Sequence, residues 1–386
     1  MKKILILTTQ INYGAAELLD VSLFHELKAL GFSVDLMSIY AKEYAYLEST
    51  DEINFPGVYY LGLKPGYSKI SLIYYTFKLT LLIYLRRYYV LQTSLRQVSF
   101  LGALARFFSG CHQIVGIHEV YSEEDNNSLY ERLMPYLFSK KKTLFYSVSE
   151  YAKNAWVNFS KVSPNRVSVI YNNLDENITI REDDKASEEI INSVRINHLS
   201  KVIVNIGRIF CDKNQLLLIN ALKKDLIKKN IVVMFIGQKE IGNGYKAERT
   251  KIMNIRIKEE INKYNLSSHV HFLDYQRNIS AFIRASDLLV HTTKRESFGL
   301  VLLEAMILGT PIISTDAQAI PEILEGTKYS LVHSNDSEQL RHSILDHFEL
   351  PSKKLNEIIT SGKQRAKKFT IKGKRTSQII EVLDKF

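Results

Sequence analysis

The chain has 386 residues, 46% of them hydrophobic and 24% charged, with a formal net charge of +10. That length calls for two domains of roughly 150 to 200 residues, and the composition excludes a disordered or fibrous chain. Cys111 and Cys211 stand far apart in no CxxC or CxxH setting, which excludes a disulfide framework and a cysteine-based zinc site and fits a reducing cytoplasm.

The opening "MKKILILTTQINYG" carries an apolar run too short for a signal peptide and reads as a first strand. "KILILTT", "AAELLDVSLFHELKAL", a stop at Gly31 and "FSVDLMSI" predict strand, helix, strand, and so a parallel sheet wound with helices. Residues 70–91, "ISLIYYTFKLTLLIYLRRYYVL", approach a membrane span. Lys78 splits them, however, and Arg86 and Arg87 close them short of the usual length of about 20 apolar residues. They predict a helix of a soluble domain; with an exposed apolar-aromatic face it would rest on an anionic membrane.

Further strands are predicted at "YYVLQTS", "HQIVGIH", "TLFYSVS" and "RVSVIYN", which gives one α/β domain over 1–175. The polar stretch "DENITIREDDKASEEIINSVRINHLS" reads as a linker and a short helix. "KVIVNIG" restarts the alternation, followed by "IVVMFIG", "HVHFLDY", "DLLVHTT" and "TPIIST", and a second α/β domain spans 176–365. The tail reads as two lysine-rich helices broken near Thr370 to Gly373, with 366–386 expected to pack back on the first domain. Two doubly wound domains are expected to face each other across a cleft, with ligands outside the carboxyl ends of the strands.

Chemistry concentrates at two such ends. "NIGRIFCDKNQLLLINAL" places Arg208 and Lys213 between a strand and a helix start, where free amide groups and two cations suit a diphosphate. In "DLLVHTTKRESFGLVLLEAMIL" Glu296 falls in the loop, and Glu304 in the second turn of a helix apolar on every side. Helical side chains lean toward the N-terminus, so both carboxylates are expected at one crevice, where they would accept hydrogen bonds from ligand hydroxyls. The competing reading of Glu304 is a buried salt bridge to a lysine or arginine.

"GRIFCDKNQLLLINAL" followed by "ASDLLVHTTKRESFGLVLLEAMILGTPIISTDAQAIPEI" resembles the C-terminal domain of retaining glycosyltransferases of family 4, of the bacterial surface-polysaccharide type. "INYGAAE", "GIHE", "SVSEYAKNAW" and "NRVSVIYNNLDE" agree more loosely in the first domain. The resemblance implies the GT-B architecture of two facing Rossmann-like domains. It also implies transfer of a sugar, with retention, from a nucleotide-sugar to an acceptor hydroxyl, without a metal or cofactor. By the same resemblance Arg208 and Lys213 bind the donor diphosphate and Glu304 the ribose hydroxyls. Glu296 and His118 are the catalytic candidates against the donor sugar, and Gly14, Phe298, Gly299 and Leu300 complete the donor site. A UDP-sugar is expected ahead of a GDP-sugar. The expected acceptor is a saccharide in the cytoplasm, either polyprenyl-linked and met at the inner face of the membrane or soluble.

The chain departs from the family at Ala15, Ser297, Gln318 and Ala319, each where glycine is common, and at Asn173, where Asn-Gly is usual. No DxD has a metal context, and "EDD" at 182–184 lies in the linker, so no metal is assigned. A nucleotide-sugar epimerase is the alternative, sharing the diphosphate site without a second substrate. Nucleic-acid binding would use the +10 charge, but no helix-turn-helix, zinc or RNP-type signature supports it.

Overall fold

The computed structural model describes residues 2–11, 14–44, 56–66, 68–122, 129–138, 142–174, 185–237, 245–276 and 278–386. The "EDD" triplet, the linker before residue 185, and Asn12 and Tyr13 of the "INYGAAE" motif lie outside them. The chain divides into two compact units, Met1–Asn172 with Lys372–Phe386, and Asn173–Ile371.

The first unit holds strands β1 (Ile4–Thr8), β2 (Val34–Tyr40), β3 (Val58–Leu63), β4 (Val90–Ser94), β5 (His112–Ile117), β6 (Thr143–Ser147) and β7 (Val167–Val169). They form one parallel sheet in the order β3-β2-β1-β4-β5-β6-β7. Helices α1 (Ala15–Ala29), α2 (Lys69–Leu85), α3 (Arg96–Ser109), α4 (Leu129–Phe138) and α5 (Glu150–Ser160) connect them. β1 is apolar at every position from Ile4 to Leu7 because it is covered on both faces. Ile4 and Ile6 pack with Phe24 and Leu27 of α1, whereas Leu5 and Leu7 pack with Leu79 and Ile83 of α2 and Leu101 of α3.

In the second unit β8 (Lys201–Ile206), β9 (Ile231–Ile236), β10 (Val270–Leu273), β11 (Leu288–His291), β12 (Ile312–Thr315) and β13 (Ser330–Val332) form a parallel sheet ordered β10-β9-β8-β11-β12-β13. Its helices are α6 (Lys185–Val194), α7 (Gln215–Leu222), α8 (Tyr245–Lys263), α9 (Ile279–Ala285), α10 (Leu300–Leu308), α11 (Ile320–Ile323), α12 (Ser337–Phe348) and α13 (Ser352–Ala366). One core joins Ile203, Val233, Phe235 and Val290 of the strands to Leu218 and Leu222 of α7 and Leu340 and Ile344 of α12.

The last helix, α14 (Lys374–Leu383), belongs to the first unit, where Ile379, Val382 and Leu383 join the core beneath β1. Two strands went unpredicted, β3 and β13. Both are sheet edges: β3 has its apolar run broken by Gly62 and its side chains partly exposed, and β13 is only three residues long. Of the 70–91 segment, the part up to Leu85 lies in the 17-residue helix α2 and Val90 and Leu91 begin β4; no helix among the described residues is long and apolar enough to cross a membrane.

Candidate functional site

In the second sheet the strand order reverses between β8 and β11, and open parallel sheets bind ligands outside the carboxyl ends of the strands at such a point. The β8–α7 loop carries Arg208 and Lys213; the β11–α10 loop carries Glu296. The two are tied together through the backbone: Lys294 N donates to Asp212 O (2.7 Å), Thr292 Oγ1 to Lys213 O (2.9 Å) and Thr293 Oγ1 to Asp212 O (3.1 Å). Gln215, buried at the start of α7, pins the other end by donating to Arg208 O (3.0 Å).

That framework brings Lys213 Nζ to 2.7 Å from Glu296 Oε2. The same oxygen receives His291 Nε2 at 3.2 Å, from a ring only 3% exposed at the end of β11. A carboxylate only accepts, so Nε2 carries the imidazole proton. Burial pushes the Glu296 carboxyl up, but the Lys213 ammonium and the His291 hydrogen bond overcome it and hold the group well below the usual carboxylate range. His291 itself is held below its ordinary value, by burial first, and so donates as a neutral ring. Two donors thus converge on Oε2 of an ionised carboxylate.

A third loop, after β12, braces Glu296 from behind. Glu296 N donates to Gln318 Oε1 (2.9 Å) and Ala319 N to Glu296 O (3.2 Å). Gln318 sits at φ +53, in the left-handed region that glycine adopts freely. The departure from a glycine pair therefore costs backbone strain of about 1 kcal/mol, and in return its amide fixes the Glu296 peptide.

Glu304 occupies the second turn of α10, after Gly299 caps the helix at φ +88. Among the described residues no ion pair answers its carboxylate: Oε2 is buried without a hydrogen-bond partner, and burial pushes its pKa to about 7. Phe298 has its ring in the core, edge-on to Phe369 at 5.6 Å, while Leu300 opens α10. Arg208 is exposed, its guanidinium 5.4 Å from the Phe210 ring centroid.

The raised Glu304 pKa makes a stability prediction. The folded state favours the protonated form, so this group costs nothing below its unfolded value of 4.5, and the penalty grows as pH rises toward 7. The full penalty is on the order of 3 kcal/mol. Glu304→Gln is therefore expected to match the wild-type melting temperature at pH 4 and exceed it by several degrees at pH 8. Equal melting temperatures at both pH values would mean that the carboxylate is solvated or paired.

In the first unit Gly14 is the N-cap of α1, at φ −125, a conformation open to any residue. A Cβ there would meet the Glu17 carboxylate at 2.5 Å. His118 follows β5, with Nε2 3.4 Å from the Tyr146 hydroxyl. That hydroxyl receives Gln92 Nε2 (3.0 Å) and Arg375 Nη2 (3.4 Å), both donors, so its own proton is directed to His118 Nε2. Burial and the Arg375 charge lower the His118 pKa to about 3, keeping the ring neutral.

Lys213 and Glu296 lie on the loops and Glu304 in the helix where the sequence pattern predicts them, but three contributors were not predicted. His291 passed as the end of "DLLVHTT", Gln318 as a lost glycine, and Arg375 as one cation in a lysine-rich tail. A histidine closing an otherwise apolar strand, five residues before a loop glutamate, was the available signal for the first.

Residues 186–365 match the family model described as "Glycosyl transferases group 1". Among curated proteins the chain is 27% identical over 165 residues to the N-acetyl-alpha-D-glucosaminyl L-malate synthase of Bacillus anthracis, covering 42% of this chain and 39% of that one. It is 27% identical over 179 residues to the D-inositol 3-phosphate glycosyltransferase of Corynebacterium efficiens, covering 45% and 40%. The chain thus spans about two fifths of the length of these curated relatives. Among solved structures it resembles Anabaena Alr3699/HepE in complex with UDP and glucose, with a TM-score of 0.82, 20% identity and 100% of both chains covered. The glycosyltransferase WaaG, involved in lipopolysaccharide biosynthesis, superposes with a TM-score of 0.73 at 13% identity, covering 98% of this chain and 99% of that one. The chain therefore has the two-domain α/β fold of GT-B glycosyltransferases, and the stretch that holds Lys213, His291, Glu296 and Glu304 matches the group 1 glycosyltransferase family.

Proposed function

We propose that the protein is a retaining glycosyltransferase that moves a sugar from a nucleotide-sugar, a UDP-sugar first, to a saccharide hydroxyl. The observation that carries this reading is Glu304: a carboxylate whose Oε2 is buried with no hydrogen-bond partner among the described residues, on the helix that starts beside the switch point of the second sheet. Leaving such a group unanswered is costly, and the hydroxyls of a ribose supply the donors it lacks. In this reading Arg208, Lys213 and the backbone N–H groups of Phe298, Gly299 and Leu300 take the diphosphate. Glu296, held ionised, lies against the donor sugar.

As the anomeric C–O bond breaks, negative charge grows on the departing diphosphate, and these fixed cations and dipoles stabilise it without a metal. Lys213 is shared between Glu296 and that charge, which couples the carboxylate's position to the state of the leaving group. The departing phosphate takes the acceptor proton, and Glu296 positions rather than attacks. The role of His118 toward the donor sugar rests on the motif resemblance. The acceptor in this reading is a lipid-linked saccharide of surface-polysaccharide assembly, met at the cytoplasmic face of the membrane. That named relatives are glycosyltransferases favours transfer over the epimerase alternative.

A thermal-shift panel of UDP, GDP, ADP and TDP and their common sugar conjugates tests the donor site, because a ligand that binds only the folded state raises its melting temperature. One nucleotide is expected to stand out, with its shift lost in Glu304→Ala. A shift unchanged in that variant would remove the ribose role. No shift from any nucleotide, with the protein folded, would overturn the donor site.

A further inference from the structure

Helix α2 is apolar on both sides. Leu79 and Ile83 point into the core. On the opposite side Ile70, Ile73, Tyr74, Phe77, Leu81 and Tyr84 recur at helical spacing and stand in solvent, from 44% exposed at Leu81 to 80% at Ile70. This stripe is about 20 Å long. A surface helix of a globular domain normally turns polar residues outward, and a continuous apolar face of this size marks a contact surface. The helix is firmly formed, with Ser68 as its N-cap accepting from Ser71 N, so the stripe is presented as one rigid face.

The charge around it says what covers it. Residues 53–118 contain no Asp or Glu and seven Lys or Arg, so +7 of the chain's +10 arises in this one segment. Arg96 is used internally by Glu119 and Arg106 is buried. Lys64 before α2, and Arg86 and Arg87 at its end, are exposed. A second copy seated on this face would set these cations against each other with no acid in the segment to answer them. Nucleic acid would meet the cations but gain nothing from Ile70, Ile73 and Leu81. An anionic bilayer satisfies both features, since aliphatic and aromatic side chains enter the acyl boundary while flanking cations stay among the headgroups.

We propose that the outward stripe of α2, with Lys64, Arg86 and Arg87, docks the protein peripherally on an anionic lipid surface. The inference stands on the first unit alone and holds or fails independently of the donor site.

Flotation with vesicles of phosphatidylcholine, with and without an equal part of phosphatidylglycerol, tests it on the full chain. The wild type is expected to float with the anionic vesicles, and less so as salt is raised. Ile73→Glu/Phe77→Glu changes only exposed positions and should keep the wild-type melting temperature while losing about tenfold or more in binding. Arg86→Glu/Arg87→Glu should lose a similar factor on anionic vesicles. Wild-type protein that stays with the unbound fraction would overturn the proposal, as would undiminished flotation of a folded Ile73→Glu/Phe77→Glu chain. So would a wild-type dimer that this variant converts to monomer, because a second copy would then be the occupant.

Discussion

Lys213→Ala is expected to destabilise the second unit by about 2–4 kcal/mol, because it strips the main counter-charge from a carboxylate that is only 13% exposed. The sign with pH follows from Glu296. In the wild type its depressed pKa contributes stability above its unfolded value of 4.5, and this is lost only far into acid. Without Lys213, burial dominates and the pKa rises. The variant's deficit should therefore be largest at pH 8 and shrink toward pH 4, where the carboxyl takes a proton. Lys213→Ala/Glu296→Ala should recover most of the loss, since removing both charges leaves no buried ion. Denaturant midpoints for the four chains give the coupling directly, and additive effects would mean that the pair is solvated. The double variant also separates folding from binding. If Lys213 contacts the donor diphosphate, the restored double variant should still bind the preferred nucleoside diphosphate roughly tenfold or more weakly, the worth of one charge-assisted hydrogen bond. Wild-type affinity in that chain would overturn the phosphate assignment and leave Lys213 as a structural partner of Glu296.

The pair also marks the limit of what the sequence conveys. Alternating β-branched runs and amphipathic stretches revealed the two doubly wound sheets, because a strand covered on both faces carries a continuous apolar run, as β1 does from Ile4 to Leu7. The positions of Lys213, Glu296 and Glu304 were legible for a related reason: polar residues that interrupt apolar runs at strand ends announce themselves. Their partnerships were not. Lys213 and Glu296 meet across 83 residues of chain, and nothing local distinguishes that meeting from two solvated charges. The question posed by Glu304, whether a buried lysine or arginine answers it, had the same form, and the described residues supply neither to its Oε2. His291 and Gln318 were hidden differently. Each looks like an ordinary strand end or turn residue until the β11–α10 loop folds between them and takes a hydrogen bond from one and gives one to the other. Short-range patterns encode elements, whereas the order of strands in the sheet decides which loops become neighbours.

Gly237→Ala is expected to damage both the fold and the site. Gly237 follows β9 at φ +154, and a Cβ there would lie 2.1 Å from Gly207 O and 2.6 Å from Gly207 C. These are backbone atoms at the start of the Arg208 loop, so no rotamer change can relieve the overlap. The loop cannot yield freely either, since Gly207 N donates to Ile236 O (2.9 Å) and Arg208 O receives Gln215 Nε2. Breaking this packing should cost on the order of 3 kcal/mol or more. Gly326→Ala separates this contact from simple backbone strain, because Gly326 has φ +75 but nothing within 4 Å of its Cβ position. It should cost about 1 kcal/mol, the ordinary penalty of a left-handed alanine. Thermal melts of the two variants and nucleotide titration of each at a temperature where it is folded provide the comparison. The Gly326 variant should bind as the wild type does. The Gly237 variant should bind more weakly, because shifting the Gly207–Arg208 peptide displaces the loop that carries Arg208 and Lys213. Equal stability losses at the two positions would mean that the β9 end and the Arg208 loop can part without cost, and that the basic loop is not held by the sheet beneath it.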